Sequence, residues 1–389
     1  MENTGKQRVR YKIEKVPFDM ELLTAIGMLS VIGLMAVFSA SVPLCMTHHI
    51  SPFHFFGQHI LWLALGVGGL YWFSKFDYTK LKKYTFSLAF CVIILLLIVK
   101  FTPLGVSING ARRWLNLGLF QFQPSELSKI SVVMLLSSLF SLPKNLYKEK
   151  LWAYTSVILG MVFVILKQPN LSMVLILLGI SLAIYAFAGK KLKYIGIGIL
   201  IFCGLFALVK TEVIDLTKYL EPHQVARIMN WHNSESDLQG EGYQVFHSMI
   251  AIASGGIIGQ GYGASKEKMG WLPEAHTDFI FSVISEEMGF VGSLFVILLF
   301  LMVFHRGILI ALKSPEIYGK LMSAGITISI TMQAFFNIAV ATSFLPATGI
   351  TLPFVSYGGT SLFVSLCMVG VLLNISKTQK RRVIANIKQ

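Results

Sequence analysis

Apolar runs separated by short polar connections occupy most of the chain. A helix that crosses a bilayer needs about 20 mostly apolar residues, and ten runs approach or exceed that length. They lie at 22–42, 57–74, 84–101, 124–142, 152–168, 171–188, 195–210, 278–303, 321–342 and 354–374. The pattern predicts an all-α polytopic membrane protein with ten transmembrane helices.

The composition agrees with a membrane protein. Hydrophobic residues make up 54% of the 389 residues and charged residues only 13%, which is too apolar for a soluble protein. The first run lacks a small-residue cleavage site, so we expect a retained span and not a cleaved signal peptide. We expect one integral membrane domain over 1–389, because the short connections leave no room for the nucleotide-binding domain of an ATP-driven transporter.

The placement of basic residues predicts the orientation of the chain. Of the 33 Lys and Arg, 23 lie in the tails (1–21 and 375–389) and in alternate connections between the runs. The connections at 43–56 and 343–353, on the opposite side, contain no Lys or Arg. Because cytoplasmic loops carry an excess of these residues, both termini are predicted to be cytoplasmic. The net charge of +14 therefore reflects topology, and nucleic-acid binding is not indicated.

Two segments on the extracytoplasmic side are longer than simple connections: 102–123, and a large loop at 211–277 between helices 7 and 8. Long ordered loops commonly carry function. Within the large loop, the apolar stretch at 246–259 is too short to span, so it predicts a re-entrant or interfacial element. Its glycine-rich end, SGGIIGQGYG, lacks the strand and spacing of a phosphate-binding loop and predicts turns with close backbone approach.

Arg112 and Arg113 stand beside Trp114 on the outer side, against the positive-inside trend. One interpretation is contact with phospholipid headgroups beside an interfacial tryptophan. The other is that the guanidinium groups form charge-assisted hydrogen bonds to a phosphate-bearing lipid substrate. The residues alone give the two interpretations equal weight.

The fourth run begins with signals of a helix start. Pro124 suits the first helical position after Gln123, and Glu126 in the first turn complements the helix dipole. Lys129, three residues later, can pair with Glu126 on one face. An ammonium one turn inside an apolar helix costs about 2.5–3.5 kcal/mol unless it is paired or hydrated, which favours a pairing or functional role for Lys129.

Three acids lie at or inside the eighth run. Asp278 is predicted to occupy the first turn of this helix, with His276 or Thr277 as its cap. At a partly dry boundary the basicity of a carboxylate rises toward what general-base catalysis requires. Glu286 and Glu287 lie deeper, where acids normally face the bundle interior and find partners. Structural pairing is the favoured role for both, and a proton path is the rival.

Metal or disulfide sites are not indicated by the sequence. The four cysteines are scattered without CxxC spacing. His48, His49 and His54 lie close together, but without the frame of carboxylates or cysteines that a metal site needs.

Four motifs together carry a resemblance to a known family. They are NGARRWLNLGLFQFQPSELSKI, GYQVFHSMIAIASGGIIGQGYG, LPEAHTDFIFSVISEEMGFVG and LPFVSYGGTSL. In this order they resemble the SEDS family, the bacterial shape, elongation, division and sporulation proteins. Within that family, GARRW and LPEAHTDFIF are more similar to the division member than to the elongation member. One departure is QPNLSM at 168–173, where the family often has QPDxGT, so we assign Asn170 no catalytic role.

The resemblance implies a ten-span glycosyltransferase that polymerises lipid II on the outer face of the bacterial cytoplasmic membrane. It also implies a class b penicillin-binding protein as the transpeptidase partner, other division proteins as further partners, and a location at the septum. The family's essential acid falls on Asp278, its tryptophan on Trp114 and its lysine on Lys129. A lipid II flippase using Lys129, Glu286 and Glu287 is one alternative, and a scaffold that only recruits a synthase is another.

In the expected reaction Asp278 is the catalytic base, and cationic side chains neutralise the leaving pyrophosphate. No motif establishes a cofactor, and a divalent cation (Mg²⁺ or Mn²⁺) stays open. Lys129 is alternatively expected to pair with Asp278 in the resting protein. The predicted substrate-binding residues are Arg112, Arg113, Trp114, Gln123, Ser125, Lys129, His276, Thr277, Ser356 and Tyr357. The residues predicted to pair structurally are Glu126, Glu286 and Glu287.

Overall fold

The computed structural model describes residues 9–108, 111–116, 118, 121–189 and 241–384. Within these ranges the protein is built mainly from helices. The longer helices are α1 (Met20–Thr47), α2 (His54–Lys75), α4 (Thr85–Phe101), α5 (Pro124–Phe140), α6 (Lys144–Leu166), α7 (Leu171–Phe187), α8 (Glu241–Ser254), α9 (Ile280–Lys313), α10 (Ile317–Ala341) and α11 (Gly359–Ser376). A short helix α3 (Tyr78–Leu81) and a 3-10 turn (Lys82–Tyr84) connect α2 to α4.

Nine of the ten predicted spans coincide with helices, and the tenth, 195–210, lies outside the described residues. Six helices of the described part are long and apolar enough to cross a membrane: α1, α3 continued by α4, α6, α9, α10 and α11. The protein is therefore an all-α, multi-pass membrane protein. The 14-residue helix α8 covers 246–254 of the stretch 246–259 that was predicted to be re-entrant or interfacial, and it packs against α9 and α10.

Burial separates central helices from peripheral ones. In the most apolar stretch of each helix, 67% of the residues of α10 and 78% of those of α11 are buried, compared with 17% in α6. Helix α5 is also buried along most of its length and packs against α4, α7 and α10. Ser323 and Thr327 of α10 and Ser365 of α11 are fully buried, and small or hydroxyl-bearing residues are typical of membrane helices that pack closely.

Two small antiparallel sheets lie at opposite ends of the bundle. On the predicted outer side, β2 (Gly105–Ile108), β3 (Ala111–Asn116) and β4 (Gln121–Phe122) form a three-stranded sheet in that order. On the predicted cytoplasmic side, β1 (Val9–Lys15) pairs with β5 (Thr378–Ile384). The chain ends thus pair with each other, which the charged tails did not predict.

Helix α9 is interrupted at Gly289, whose φ of 66° and ψ of −165° lie in a region that essentially only glycine adopts. The interruption frees the carbonyl groups of Glu286 and Glu287, which accept the backbone N–H groups of Gln260 and Gly261. A Cβ on Gly259 or Gly289 would collide with the facing backbone. Turns and close backbone approach were the prediction for this glycine-rich segment, and both are confirmed.

Two predicted helix starts are wrong. Helix α9 begins at Ile280, so Asp278 precedes the helix, and Phe279 holds the cap position without a capping side chain. The predicted capping by His276 or Thr277 is therefore incorrect. Helix α11 begins at Gly359 and not near 354, because the preceding residues form an irregular segment.

Candidate active site

A partly open cavity of about 760 Å³ lies at the predicted outer end of the bundle. Strand β3, the start of α5, the segment 273–279, helix α10 and the irregular segment between α10 and α11 all contribute to its wall. The acidic and basic side chains on this wall, within the described ranges, are His54, Arg113, Glu126, Glu274 and Asp278. A cavity of this size is typical of sites for small molecules and brings the predicted base together with a predicted anion-binding arginine.

Backbone hydrogen bonds hold the turn that carries Asp278. The carbonyl of Glu274 accepts the N–H groups of Thr277 (3.1 Å) and Phe279 (3.2 Å). Glu274 itself adopts a left-handed conformation with φ 55°, which is uncommon for a residue with a Cβ. The result is a tight turn that presents the half-buried Asp278 carboxylate at the cavity wall.

The segment between α10 and α11 forms hydrogen bonds to the backbone of this turn. Ser356 donates its hydroxyl to the Thr277 carbonyl at 2.6 Å, and the Tyr357 N–H donates to the His276 carbonyl at 3.0 Å. A Cβ added to Gly349 would lie 3.5 Å from Oδ2 of Asp278. The irregular backbone thus lies directly against the carboxylate, as expected of non-helical backbone that lines a cavity.

Glu274 is a cavity residue that the sequence analysis did not identify. Its Oε2 accepts a hydrogen bond from Thr277 Oγ1 at 2.7 Å, and its side chain is half-buried on the same wall as Asp278. A glutamate in a polar stretch before a helix resembles ordinary surface charge, so only its position in the fold separates it from the solvent-exposed acids.

The two arginines of β3 have different roles. Arg112 donates to the carbonyls of Gly105 (2.8 Å) and Thr102 (2.6 Å), which ties the sheet to the end of α4, and it is not a cavity residue. Arg113 lines the cavity beside Trp114 and donates to the carbonyls of Gln168 and Pro169. The structure thus keeps Arg113 and Trp114 as candidates for substrate binding, and it does not support that role for Arg112.

Lys129 lies behind the cavity wall and is fully buried. Its Nζ lies 2.6 Å from Oε2 of Glu126 and also donates to Oε1 of Gln333. Glu126 and Gln333 both reach the cavity. The predicted pair of Glu126 and Lys129 is confirmed, whereas Asp278 is not the partner of Lys129 in this structure. Direct substrate contact by Lys129 is not supported either.

The other predicted binding residues divide between the cavity and its surroundings. Gln123, Thr277 and Tyr357 line the cavity. Ser125 is fully buried, and its hydroxyl has no hydrogen-bond partner within the described residues. Ser356 is buried as a support for Thr277. Only the first three are therefore placed to contact a substrate.

His276 packs among aromatic rings next to the cavity. Its ring centroid lies 4.9 Å from that of Phe55 and 5.6 Å from that of Tyr357. Burial lowers the pKa of the His276 imidazole, and the charge of Glu274 offsets part of this effect. The lowered pKa favours the neutral imidazole, which packs against these rings.

Glu286 and Glu287 are buried away from the cavity and have local partners. Glu286 accepts from Ser265 Oγ (2.5 Å) and the Lys266 N–H (2.8 Å). Glu287 forms an ion pair with Lys268 at 2.5 Å. Their predicted pairing role is confirmed, and both acids anchor the loop after α8 to the interrupted helix α9.

Asn170, to which the sequence assigned no catalytic role, has a structural role. Its side chain accepts the N–H of Met173 and caps α7, and it also reaches the cavity. Within the described ranges, no group of three or more His, Cys, Asp or Glu side chains could hold a metal ion. These residues alone therefore do not form a protein cage for Mg²⁺ or Mn²⁺.

Comparison with known proteins places the chain in a family. Residues 20–381 match the model of the cell cycle protein family of FtsW, RodA and SpoVE. A probable peptidoglycan glycosyltransferase FtsW of Geobacter sp. strain M18 is 36% identical over 370 residues, which are 92% of this chain and 96% of the relative. Stage V sporulation protein E of Bacillus subtilis strain 168 is 34% identical over 367 residues, 94% of this chain and 98% of the relative.

Solved structures share the fold. A chain from a study of the structural coordination of polymerization and crosslinking by a peptidoglycan synthase complex superposes with a TM-score of 0.73 and 27% identity, over 92% of this chain and 97% of that chain. The rod shape determining protein RodA of Thermus thermophilus superposes with a TM-score of 0.66 and 25% identity, over 92% and 96%. The chain therefore belongs to the FtsW, RodA and SpoVE family of cell cycle proteins, as its sequence motifs indicated.

Proposed function

We propose that the protein is a peptidoglycan glycosyltransferase that polymerises lipid II into glycan strands on the outer face of the cytoplasmic membrane. The observation that carries this proposal is the shared cavity of Asp278, Arg113 and Trp114. A carboxylate, a guanidinium group and an indole on one wall suit a base, an anion-binding group and a platform for a sugar ring. The names of the relatives support the same activity.

In the proposed reaction, Asp278 removes the proton from the 4-hydroxyl of the acceptor's N-acetylglucosamine. The oxygen then attacks the anomeric carbon of the donor chain, and the bond to undecaprenyl pyrophosphate breaks with its electron pair leaving on the phosphate. This is a single displacement with inversion. In this proposal Arg113, which lines the cavity, neutralises the leaving pyrophosphate, because charge that develops in the transition state is stabilised by preorganised donors.

Lys129 contributes to this reaction indirectly. Its ammonium group is buried behind Glu126 and Gln333, so it holds two cavity side chains in place and adds positive charge beneath the site. No step passes through a metal ion in this scheme. A divalent cation, if one takes part, would have to be held jointly by Asp278 or Glu274 and the substrate pyrophosphate.

We also propose a class b penicillin-binding protein as the transpeptidase partner, together with other division proteins, and a location at the division septum. The structural similarity to a peptidoglycan synthase complex and the FtsW relatives support these assignments. All the catalytic candidates of this chain are assigned to glycosyl transfer. Cross-linking of the new glycan is therefore proposed to be the task of a separate partner.

A flippase is the rival function, and the site geometry favours it less. It requires Lys129, Glu286 and Glu287 to form a headgroup path, but none of them lines the cavity, and each is bound to a local partner. The test reconstitutes the purified protein with its partner in sealed vesicles that contain fluorescent lipid II. Formation of glycan chains by the wild type, and its loss when Asp278 is replaced, would support polymerisation. Movement of lipid II across the bilayer without glycan would support transport.

A further inference from the structure

Helix α10 carries two uncharged amides, Gln333 and Asn337, to which the proposed mechanism assigns no chemical step. They are four residues apart and therefore lie on one face of the helix. Each is only 1% exposed. A buried side-chain amide in an apolar helix is retained at a free-energy cost unless its polar atoms are bonded. Asn337 Oδ1 has no hydrogen-bond partner among the described residues, so the bonds of the two NH₂ groups and of Gln333 Oε1 indicate the purpose of these residues.

Asn337 connects the turn of Asp278 to the irregular segment before α11. Its Nδ2 donates to the carbonyl of Asp278 and to the carbonyl of Ile350, both at 2.7 Å. Both neighbours are acceptors, so only the NH₂ end of the amide fits between them. The orientation of Asn337 is therefore fixed by chemistry.

Gln333 makes the equivalent connection to the basic part of the site. Its Oε1 accepts from the Lys129 ammonium, which can only donate. Its Nε2 donates to the Thr351 carbonyl at 3.0 Å and to Ser361 Oγ at 3.1 Å. This amide too has a single orientation that satisfies its neighbours.

The two amides donate to adjacent carbonyls of the same segment. Asn337 donates to the carbonyl of Ile350, and Gln333 donates to that of the next residue, Thr351. One amide connects this segment to Asp278, and the other connects it to Lys129 and thereby to Glu126. Both connections come from one face of one rigid helix. Helix α10 thus connects the turn of Asp278 and the pair of Lys129 and Glu126 to one and the same segment.

We infer that Asn337 is a positioning residue for Asp278, with Gln333 as its counterpart for the pair of Lys129 and Glu126. Asn337 does not line the cavity and so acts through the backbone of Asp278, not on the substrate. This inference rests on the proposed glycosyltransferase function for its catalytic consequence. A general base must lie within hydrogen-bond reach of the proton it removes, and misplacement by about 1 Å can lower a rate about a hundredfold.

The experiment compares two variants with the wild type, all purified with the partner transpeptidase. Asn337→Leu keeps the side-chain size and removes both donors. Asn374→Leu is the matched control, because Asn374 donates to the Ser74 carbonyl at 2.9 Å at the other end of the bundle. We expect Asn337→Leu to lower kcat for lipid II polymerisation about tenfold to a hundredfold, with KM changed by no more than about twofold. A kcat equal to that of Asn374→Leu would overturn the inference.

A second measurement tests the positioning without any activity. Hydrogen–deuterium exchange reports the amides of Thr277, Phe279 and Tyr357, which are bonded in the supported turn. We expect faster exchange of peptides covering 274–279 and 350–357 in Asn337→Leu than in Asn374→Leu. Equal exchange overturns the inference, whatever the kinetics.

The two measurements separate the inference from the function on which it rests. If the wild type makes no glycan, the proposed function fails, and the exchange data alone decide the role of Asn337. If Asn337→Leu does not fold, Asn337→Ser carries the same test, because its hydroxyl retains one donor. The expected losses are then smaller but in the same direction.

Discussion

The Nζ of Lys129 lies 2.6 Å from Oε2 of Glu126, with both side chains almost completely buried behind the cavity wall. Removing one partner of a buried ion pair leaves an uncompensated charge and typically costs about 3–5 kcal/mol. We therefore expect Lys129→Met to lower the thermal unfolding midpoint in detergent and to abolish polymerisation.

The double variant Lys129→Met, Glu126→Leu separates stability from activity. It removes both charges, so much of the lost stability is expected to return, while polymerisation stays absent because the wall has lost Glu126. A single variant Lys129→Met that unfolds at the temperature of the wild type would contradict this account of the pair.

The arginines of β3 offer a matched comparison. Arg113 lines the cavity, whereas Arg112 binds the Gly105 and Thr102 carbonyls outside it. Lysine does not reproduce the fork of guanidinium donors. Each Arg→Lys change therefore disrupts hydrogen bonds from the side chain to two backbone carbonyls. We expect Arg113→Lys to lower kcat/KM for lipid II about tenfold and Arg112→Lys to leave kcat/KM unchanged. Equal effects of the two changes on kcat/KM would contradict the assignment of Arg113, and not Arg112, to the substrate.

Gly289 is expected to tolerate no side chain. Its backbone conformation is essentially restricted to glycine, and a Cβ would lie 2.6 Å from the Ile257 carbonyl oxygen. We expect Gly289→Ala to lower the free energy of unfolding by at least about 1–3 kcal/mol. Gly68→Ala is the control, because a Cβ on the exposed Gly68 of α2 meets nothing within 4 Å. Equal unfolding midpoints for the two variants would contradict the interruption of α9.

The buried His276 predicts a pH dependence of stability. Because burial lowers its pKa in the folded protein, the unfolded state binds the proton more readily below the ordinary pKa of about 6.5. The part of the folding stability that depends on a neutral His276 is therefore fully present above that pH. It is lost as the pH falls below that value. The unfolding midpoint of the wild type should fall more between pH 8 and pH 5.5 than that of His276→Gln. Parallel curves would remove His276 as a cause.

Much of the architecture was predictable because spanning helices leave a simple signal. Runs of about 20 apolar residues predicted nine helices that the structure contains, and the spacing of Glu126 and Lys129 predicted their pairing. The pairing of β1 with β5 joins the two ends of the chain, and no local pattern in either tail specifies a partner that distant in sequence.

The site was only partly predictable for a related reason. Asp278 and Arg113 were identified because an acid at the start of an apolar run and an arginine on the outer side are unusual, and Trp114 was identified because it stands beside the arginines in a motif of the resembling family. Gln333 and Asn337 carry no charge, so they give little contrast with an apolar helix until their hydrogen-bond partners are known. Gly289 was not recognised as an interruption, because a single glycine is tolerated in many helices.

The most direct test concerns the carboxylate of Asp278. Asp278→Asn keeps the side-chain size and removes the base, and Asp77→Asn is the matched control, because asparagine is an equally good helix cap in its position before α3. Both proteins are purified with the partner transpeptidase and supplied with lipid II. We predict that Asp77→Asn makes glycan strands at the rate of the wild type and that Asp278→Asn, folded to the same unfolding midpoint, makes none. Glycan synthesis by Asp278→Asn at the wild-type rate would contradict the account.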